Sequence, residues 1–131
     1  IALGVENAAQ RLNTDGCNGK APSFHKHERH EGSIEVEVNS GDWLIWQQGF
    51  KPPDTLIIDV EGYEGPVLAG LTETMARRPP RHVFLEMHPD SWMPMGYQAD
   101  QILSKLTDEG FGIAKVFKRN NQQLYHFIRG R

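Results

Sequence analysis

The segment that most constrains this chain is Thr55-Leu56-Ile57-Ile58-Asp59-Val60, a continuous apolar run, rich in β-branched residues, that closes on an acid. A half-buried strand would alternate, so an unbroken run predicts a central parallel strand covered on both faces. The residues after it agree. Gly62 and Gly65 permit a tight connection, and Pro66 suits the first turn of a helix. Val67, Leu68, Leu71 and Met75 then recur at helical spacing, which predicts one helix with an inward apolar face. Arg77 and Arg78 sit at its negative end, and Pro79-Pro80 stops it. His82-Val83-Phe84-Leu85-Glu86-Met87 predicts a second strand that also meets an acid near its end.

The C-terminal part continues the pattern and then changes it. Gln98 to Glu109 predicts a helix with Ile102, Leu103 and Leu106 inward and Gly110 as its stop. Gly112 to Phe117 and Gln123 to Ile128 flank Arg119-Asn120-Asn121 and predict an antiparallel hairpin. Strand and helix in alternation imply an α/β sheet, mostly parallel, with the closing hairpin antiparallel.

The N-terminal part is less regular. Ile1-Ala2-Leu3-Gly4 reads as the end of a buried strand, so the chain is expected to be a fragment or processed product. Residues 5 to 32 show no clear period, and Phe24 to Gly32 reads as an exposed loop. Ser33 to Val38 alternates and predicts a half-buried strand. Asp42 to Gln48 predicts a short helix capped by Ser40 or Asp42 and ended by Gly49.

Composition narrows the function classes. The chain has 131 residues, 38% hydrophobic and 24% charged, enough for one domain with a core. A net charge of -3 without a basic stripe argues against nucleic acid. No apolar run approaches the roughly 18–20 residues that cross a bilayer. Glu6, Asn7 and Gln10 interrupt the start too early for a secretory signal. The single cysteine, Cys17, has no intrachain partner and fits a reducing compartment; the cytoplasm is the expected location.

In open α/β sheets ligands bind outside the carboxyl ends of the strands. Two such ends carry polar clusters here: Asp59, Glu61 and Glu64 after the first strand, Glu86 and His88 after the second. If the strands are neighbours, both clusters face one crevice. Alternation would point Asp59 with Glu61, and Glu86 with His88. Such groups serve as general base, metal ligand or hydrogen-bond acceptor. Glu64 alternatively only stabilises the start of the helix. His25, His27 and His30 are irregularly spaced without a nearby cysteine, so a solvated loop is expected rather than a metal site. Trp43 and Trp46 suit core packing or a lid, Trp92 and Met93 a loop over substrate between residues 88 and 97, and Cys17 is expected to be inert.

Ile57-Ile58-Asp59-Val60-Glu61-Gly62-Tyr63-Glu64, followed by Val67-Leu68-Ala69-Gly70-Leu71, resembles the hallmark segment of FkbM-type methyltransferases. Pro80-Arg81-His82-Val83-Phe84-Leu85-Glu86-Met87-His88-Pro89 resembles that family's next strand, and the resemblance runs from about residue 33 to 129. It implies a partial Rossmann-like, class I methyltransferase domain spanning residues 1–131, with a variable part over 1–32. It implies transfer of a methyl group from S-adenosylmethionine to an oxygen of a small molecule or glycan. By position Asp59 would lie beside donor and acceptor, as a cofactor-binding and catalytic residue. Glu61, Glu86 and His88 would line the acceptor side.

Complete members carry an earlier strand with a glycine-rich turn and another ending in a ribose-binding acid. Neither pattern occurs before Thr55, since Gly16-Cys17-Asn18-Gly19 follows no convincing apolar strand. The run 55–60 is therefore expected to be a sheet edge, either paired with a second copy in a homodimer or covered by residues 1–38. Two other functions fit the same residues. One is a metal-dependent hydrolase using Asp59, Glu61, Glu86 and His88; the other is a truncated domain that only folds or binds partners.

Overall fold

The computed structural model describes residues 1–14, 24, 32–88, 98–119 and 122–130. Seven strands and four helices occur among them, in two mixed sheets.

The smaller sheet is built from β1 (Ala2–Gly4), β2 (Ala8–Thr14) and β3 (Gly32–Ser40), in the order β1-β3-β2. β1 runs parallel to β3, and β2 antiparallel to it. The strand expected at 33–38 is thus present and slightly longer. β2 is a correction, because its stretch shows no clear period in the sequence. Its Ala8, Ala9 and Arg11 are exposed and its other residues only half-buried, so burial leaves no alternation to detect. Antiparallel pairing with β3 supplies the order instead.

The larger sheet has the order β4-β5-β7-β6, from β4 (Thr55–Ile58), β5 (His82–Met87), β6 (Phe111–Arg119) and β7 (Gln122–Arg129). Only β4 and β5 are parallel; β7 lies antiparallel between β5 and β6. The mostly parallel sheet expected from sequence is therefore corrected. The hairpin inserts its second strand directly beside β5, and the N-terminal strands form their own sheet. The register of the hairpin shifts between Ile113 and Lys115.

β4 lies at the edge, as expected, but is not covered on both faces. Ile58 is 1% exposed while Ile57 is 72% exposed. The described strands of the N-terminal stretch pair with one another rather than with β4. One face of the larger sheet holds Ile58, Val83, Leu85, Phe111 and Phe127, which pack in one cluster with helical residues Val67, Leu68, Met75, Ile102 and Leu106. Full burial of each such side chain contributes about 1.5–3 kcal/mol before entropy is counted. On the opposite face Phe84 stacks on His126 at 4.2 Å between ring centroids.

Between the paired parallel strands lie two short helices, α2 (Glu64–Ala69) and α3 (Thr72–Arg77), not the single helix that the spacing predicts. The break falls at Gly70-Leu71. A Cβ on Gly70 would lie 1.9 Å from the carbonyl oxygen of Gly4, so the chain approaches β1 as only glycine can. The preceding helix α1 (Gly41–Trp46) is capped by Ser40, whose Oγ accepts from the Trp43 N–H at 3.1 Å. Asp42 instead caps α3: its carboxylate accepts from the N–H groups of Glu73 at 2.7 Å and Thr74 at 2.8 Å. The last helix, α4 (Ala99–Asp108), follows Gln98 as predicted, with Ile102 and Leu106 buried and Gly110 at φ 85° beyond it.

The loop at 88–97 beyond His88, with Trp92 and Met93, lies outside the described residues, as do Cys17, His25, His27, His30 and the Asn120-Asn121 turn. Phe24, expected in an exposed loop, is half-buried against Tyr63, with ring centroids 4.4 Å apart.

Candidate functional site

β4 and β5 pair in register, with Ile57 beside Phe84 and Ile58 beside Leu85. Both strands therefore end together, and the residues beyond them meet. Alternation sends Ile58, Leu85 and Met87 into the core and leaves Asp59 and Glu86 on the other side. After Asp59 the chain turns sharply. Glu61 has φ 50° and Gly62 φ 102°, so a left-handed turn reverses the backbone into α2. Such a conformation at a residue with a side chain costs on the order of 1–3 kcal/mol.

His88 is the hub of the polar cluster beyond the two strand ends. Its ring is 6% exposed. Nδ1 lies 2.8 Å from Oε1 of Glu64, which is fully buried at the first position of α2. The same Oε1 accepts the Gly62 N–H at 3.0 Å. A carboxylate oxygen only accepts, so Nδ1 carries the hydrogen, and in the neutral ring Nε2 is left with its lone pair. Nε2 points at three further acids. It is 3.7 Å from Oδ1 of Asp59, 3.7 Å from Oε2 of Glu61 and 3.9 Å from Oε1 of Glu86. None is within hydrogen-bonding distance, and buried Nε2 has no hydrogen-bond partner among the described residues.

The pKa of His88 is raised. The hydrogen bond to Glu64 is the main cause, burial opposes it, and the charges of Glu64, Glu61 and Asp59 add to it. Four carboxylates around one imidazole keep the cluster negative even when the ring is protonated. The site thus favours positive charge and can accept a proton.

All five residues singled out at the strand ends come together: Asp59, Glu61 and Glu86 near Nε2 of His88, and Glu64 at its Nδ1. Glu64 is the residue whose part the sequence conceals. Placed in the first polar cluster with helix-start stabilisation as the alternative, it anchors His88 from the interior. The visible signal is an acid embedded among Gly62, Tyr63, Gly65, Pro66 and Val67, a segment too apolar for a solvated carboxylate. Asp59, Glu61 and His88 also offer one ligand atom each within 4.8 Å of one another, a spacing compatible with a metal ion. Trp43 and Trp46 stand apart from this cluster; Trp46 lies under the Arg77 guanidinium at 4.1 Å. No described helix is long and apolar enough to cross a membrane.

Neither a curated protein nor a solved structure matches the chain. The Methyltransferase FkbM domain matches residues 5–113. That match starts upstream of the part expected to be recognisable and takes in all five residues of the cluster, with all of β7 and most of β6 outside it. It spans well over half of the sequence, and the chain belongs to the FkbM methyltransferase domain family.

Proposed function

We propose that this chain acts in S-adenosylmethionine-dependent O-methylation of a small molecule or glycan, with Asp59, Glu61, Glu86 and His88 on the acceptor side. The observation that carries this reading is the convergence of those four side chains at the paired ends of β4 and β5, within a methyltransferase-family match. A hydrolase using the same residues has no comparable support, because the family transfers methyl groups.

The donor's sulfonium is cationic, and the negative cluster suits that charge. Asp59, the most open of the acids at 55% exposure, is the residue to face it. When bound, the donor supplies an electrophilic methyl carbon. The protein's part is to orient the acceptor oxygen in line with that carbon and to take its proton as the new carbon–oxygen bond forms. Nε2 of His88 and the carboxylate of Glu86 are the two groups suited to receive it. Glu64 holds the ring so that Nε2 faces Asp59 and Glu61. The open edge of β4 is the surface through which two copies would pair.

The test is calorimetric titration of the folded chain with S-adenosylmethionine and with S-adenosylhomocysteine, its neutral thioether product. Saturable binding is expected, tighter for the cationic donor by about five- to tenfold, the effect of roughly 1 kcal/mol of charge attraction. Asp59→Asn is expected to narrow that gap. Failure of both the folded chain and a folded form extended upstream by about 100 residues to bind either compound overturns the proposal.

A further inference from the structure

The geometry points to a divalent-cation site formed by Asp59, Glu61 and His88, and we infer that manganese is the ion it fits best. This goes beyond methyl transfer and stands without it.

An acidic cluster alone is an ordinary surface feature. Here a second observation distinguishes it. Nε2 of His88 belongs to a ring 94% buried, has no hydrogen-bond partner among the described residues, and is aimed at the gap between Asp59 and Glu61. A buried, unpaired nitrogen lone pair costs about 1–3 kcal/mol unless something occupies the space in front of it. Ring rotation cannot remove it, because Nδ1 is pinned to Glu64.

That pin is what a metal-binding histidine requires. A carboxylate on the far nitrogen fixes the tautomer, holds the ring in place and makes the near nitrogen more basic. Glu64 does this from complete burial, with its own Oε1 held by the Gly62 N–H.

The ligand atoms are slightly too far apart for direct coordination. Around an ion with bonds of about 2.1 Å, neighbouring ligand atoms sit about 3 Å apart. Asp59 and Glu61 lie 3.7 Å from Nε2 and must close inward by less than about 1 Å. Their side chains are 55% and 37% exposed, so they are free to do so. The left-handed turn at Glu61 is the backbone feature that brings its carboxylate back toward His88.

Two carboxylates and one imidazole favour manganese. Magnesium and calcium prefer oxygen alone, while zinc and copper favour more nitrogen or sulfur. The remaining coordination positions would face solvent. Glu86 lies outside the ligand set, so with Nε2 engaged it is left as the proton acceptor; this last point rests on the methyl-transfer reading.

The test uses manganese chloride added to the chain without donor or acceptor. Loss of the free Mn²⁺ electron paramagnetic resonance signal reports binding. One saturable site is expected, weakened at least about tenfold by Asp59→Asn and by Glu61→Gln. Asp59 is exposed and Glu61 half-buried, and circular dichroism checks the fold. Glu64→Gln is expected to weaken binding about 10- to 100-fold through His88. Glu35→Gln, on β3 away from the site, should bind as the wild type does. No saturable binding up to about 1 mM, or equal affinity in the Asp59 and Glu61 variants, overturns the site. Because the donor is absent, either result leaves the methyl-transfer proposal to its own titration.

Discussion

The two sheets are held together by different means. The larger one rests on apolar burial: Ile58, Val83, Leu85, Phe111 and Phe127 are all at most 3% exposed and pack against α2, α3 and α4. The smaller one contributes a single residue, Val38, to the buried hydrophobic set. It is joined to the rest by close backbone approach and polar ties. Gly70 passes against Gly4, the Asp42 N–H donates to the Gly70 carbonyl at 2.9 Å, and the Tyr63 hydroxyl reaches Gln10 at 3.2 Å. A sheet can thus be ordered without a core of its own if a neighbouring core presents a backbone to lean on.

This contrast can be broken at either side. Phe127→Ala should have the largest effect, about 3–5 kcal/mol of destabilisation, and should lower the unfolding midpoint of both sheets together. Denaturant unfolding followed by circular dichroism measures it; a loss under about 1 kcal/mol would mean that the larger sheet does not depend on this core. Gly70→Ala should cost about 1–3 kcal/mol or more, since its Cβ meets backbone rather than a movable side chain. Amide exchange should quicken first in β1 and β3. Uniform quickening across β4 to β7 would contradict a separate tether. Asp42→Ala should cost about 1–2 kcal/mol, because α3 loses the cap supplied from α1 and the Thr74 hydroxyl loses its acceptor at 2.7 Å. Asp42→Asn, which keeps an accepting oxygen, should recover part of that loss.

The smallest effect concerns acidity. Because the folded state raises the pKa of His88, the chain without metal gains stability when the ring is protonated. That gain is complete below the unfolded value of about 6.5 and disappears as pH rises through the higher folded value. The unfolding midpoint should fall over this window and the change should vanish in His88→Gln. A midpoint that rises with pH there would reverse the sign.

The larger sheet's strands and the acids at their ends were legible from their apolar runs, Thr55 to Val60 and His82 to Met87, although Ile57 within the first run is exposed. What the sequence concealed shares one cause: it depends on partners distant along the chain. β2 has no apolar alternation and is ordered by β3. The break between α2 and α3 is invisible because Leu68, Leu71 and Met75 keep helical spacing across it. The antiparallel character arises because β7 takes the place beside β5. Glu64 was legible as a member of the first cluster, but nothing in local spacing decides between capping its helix and meeting a histidine 24 residues later.

All five groups of the cluster lie within one strand–helix–strand unit, from Thr55 to His88. Closing a loop of that length is entropically cheap, and each doubling adds only about 0.6 kcal/mol. During synthesis the whole constellation has emerged before the hairpin that flanks β5 exists. The chemistry of the site is therefore encoded in a contiguous block, while β6 and β7, made later, supply the wall that stabilises it.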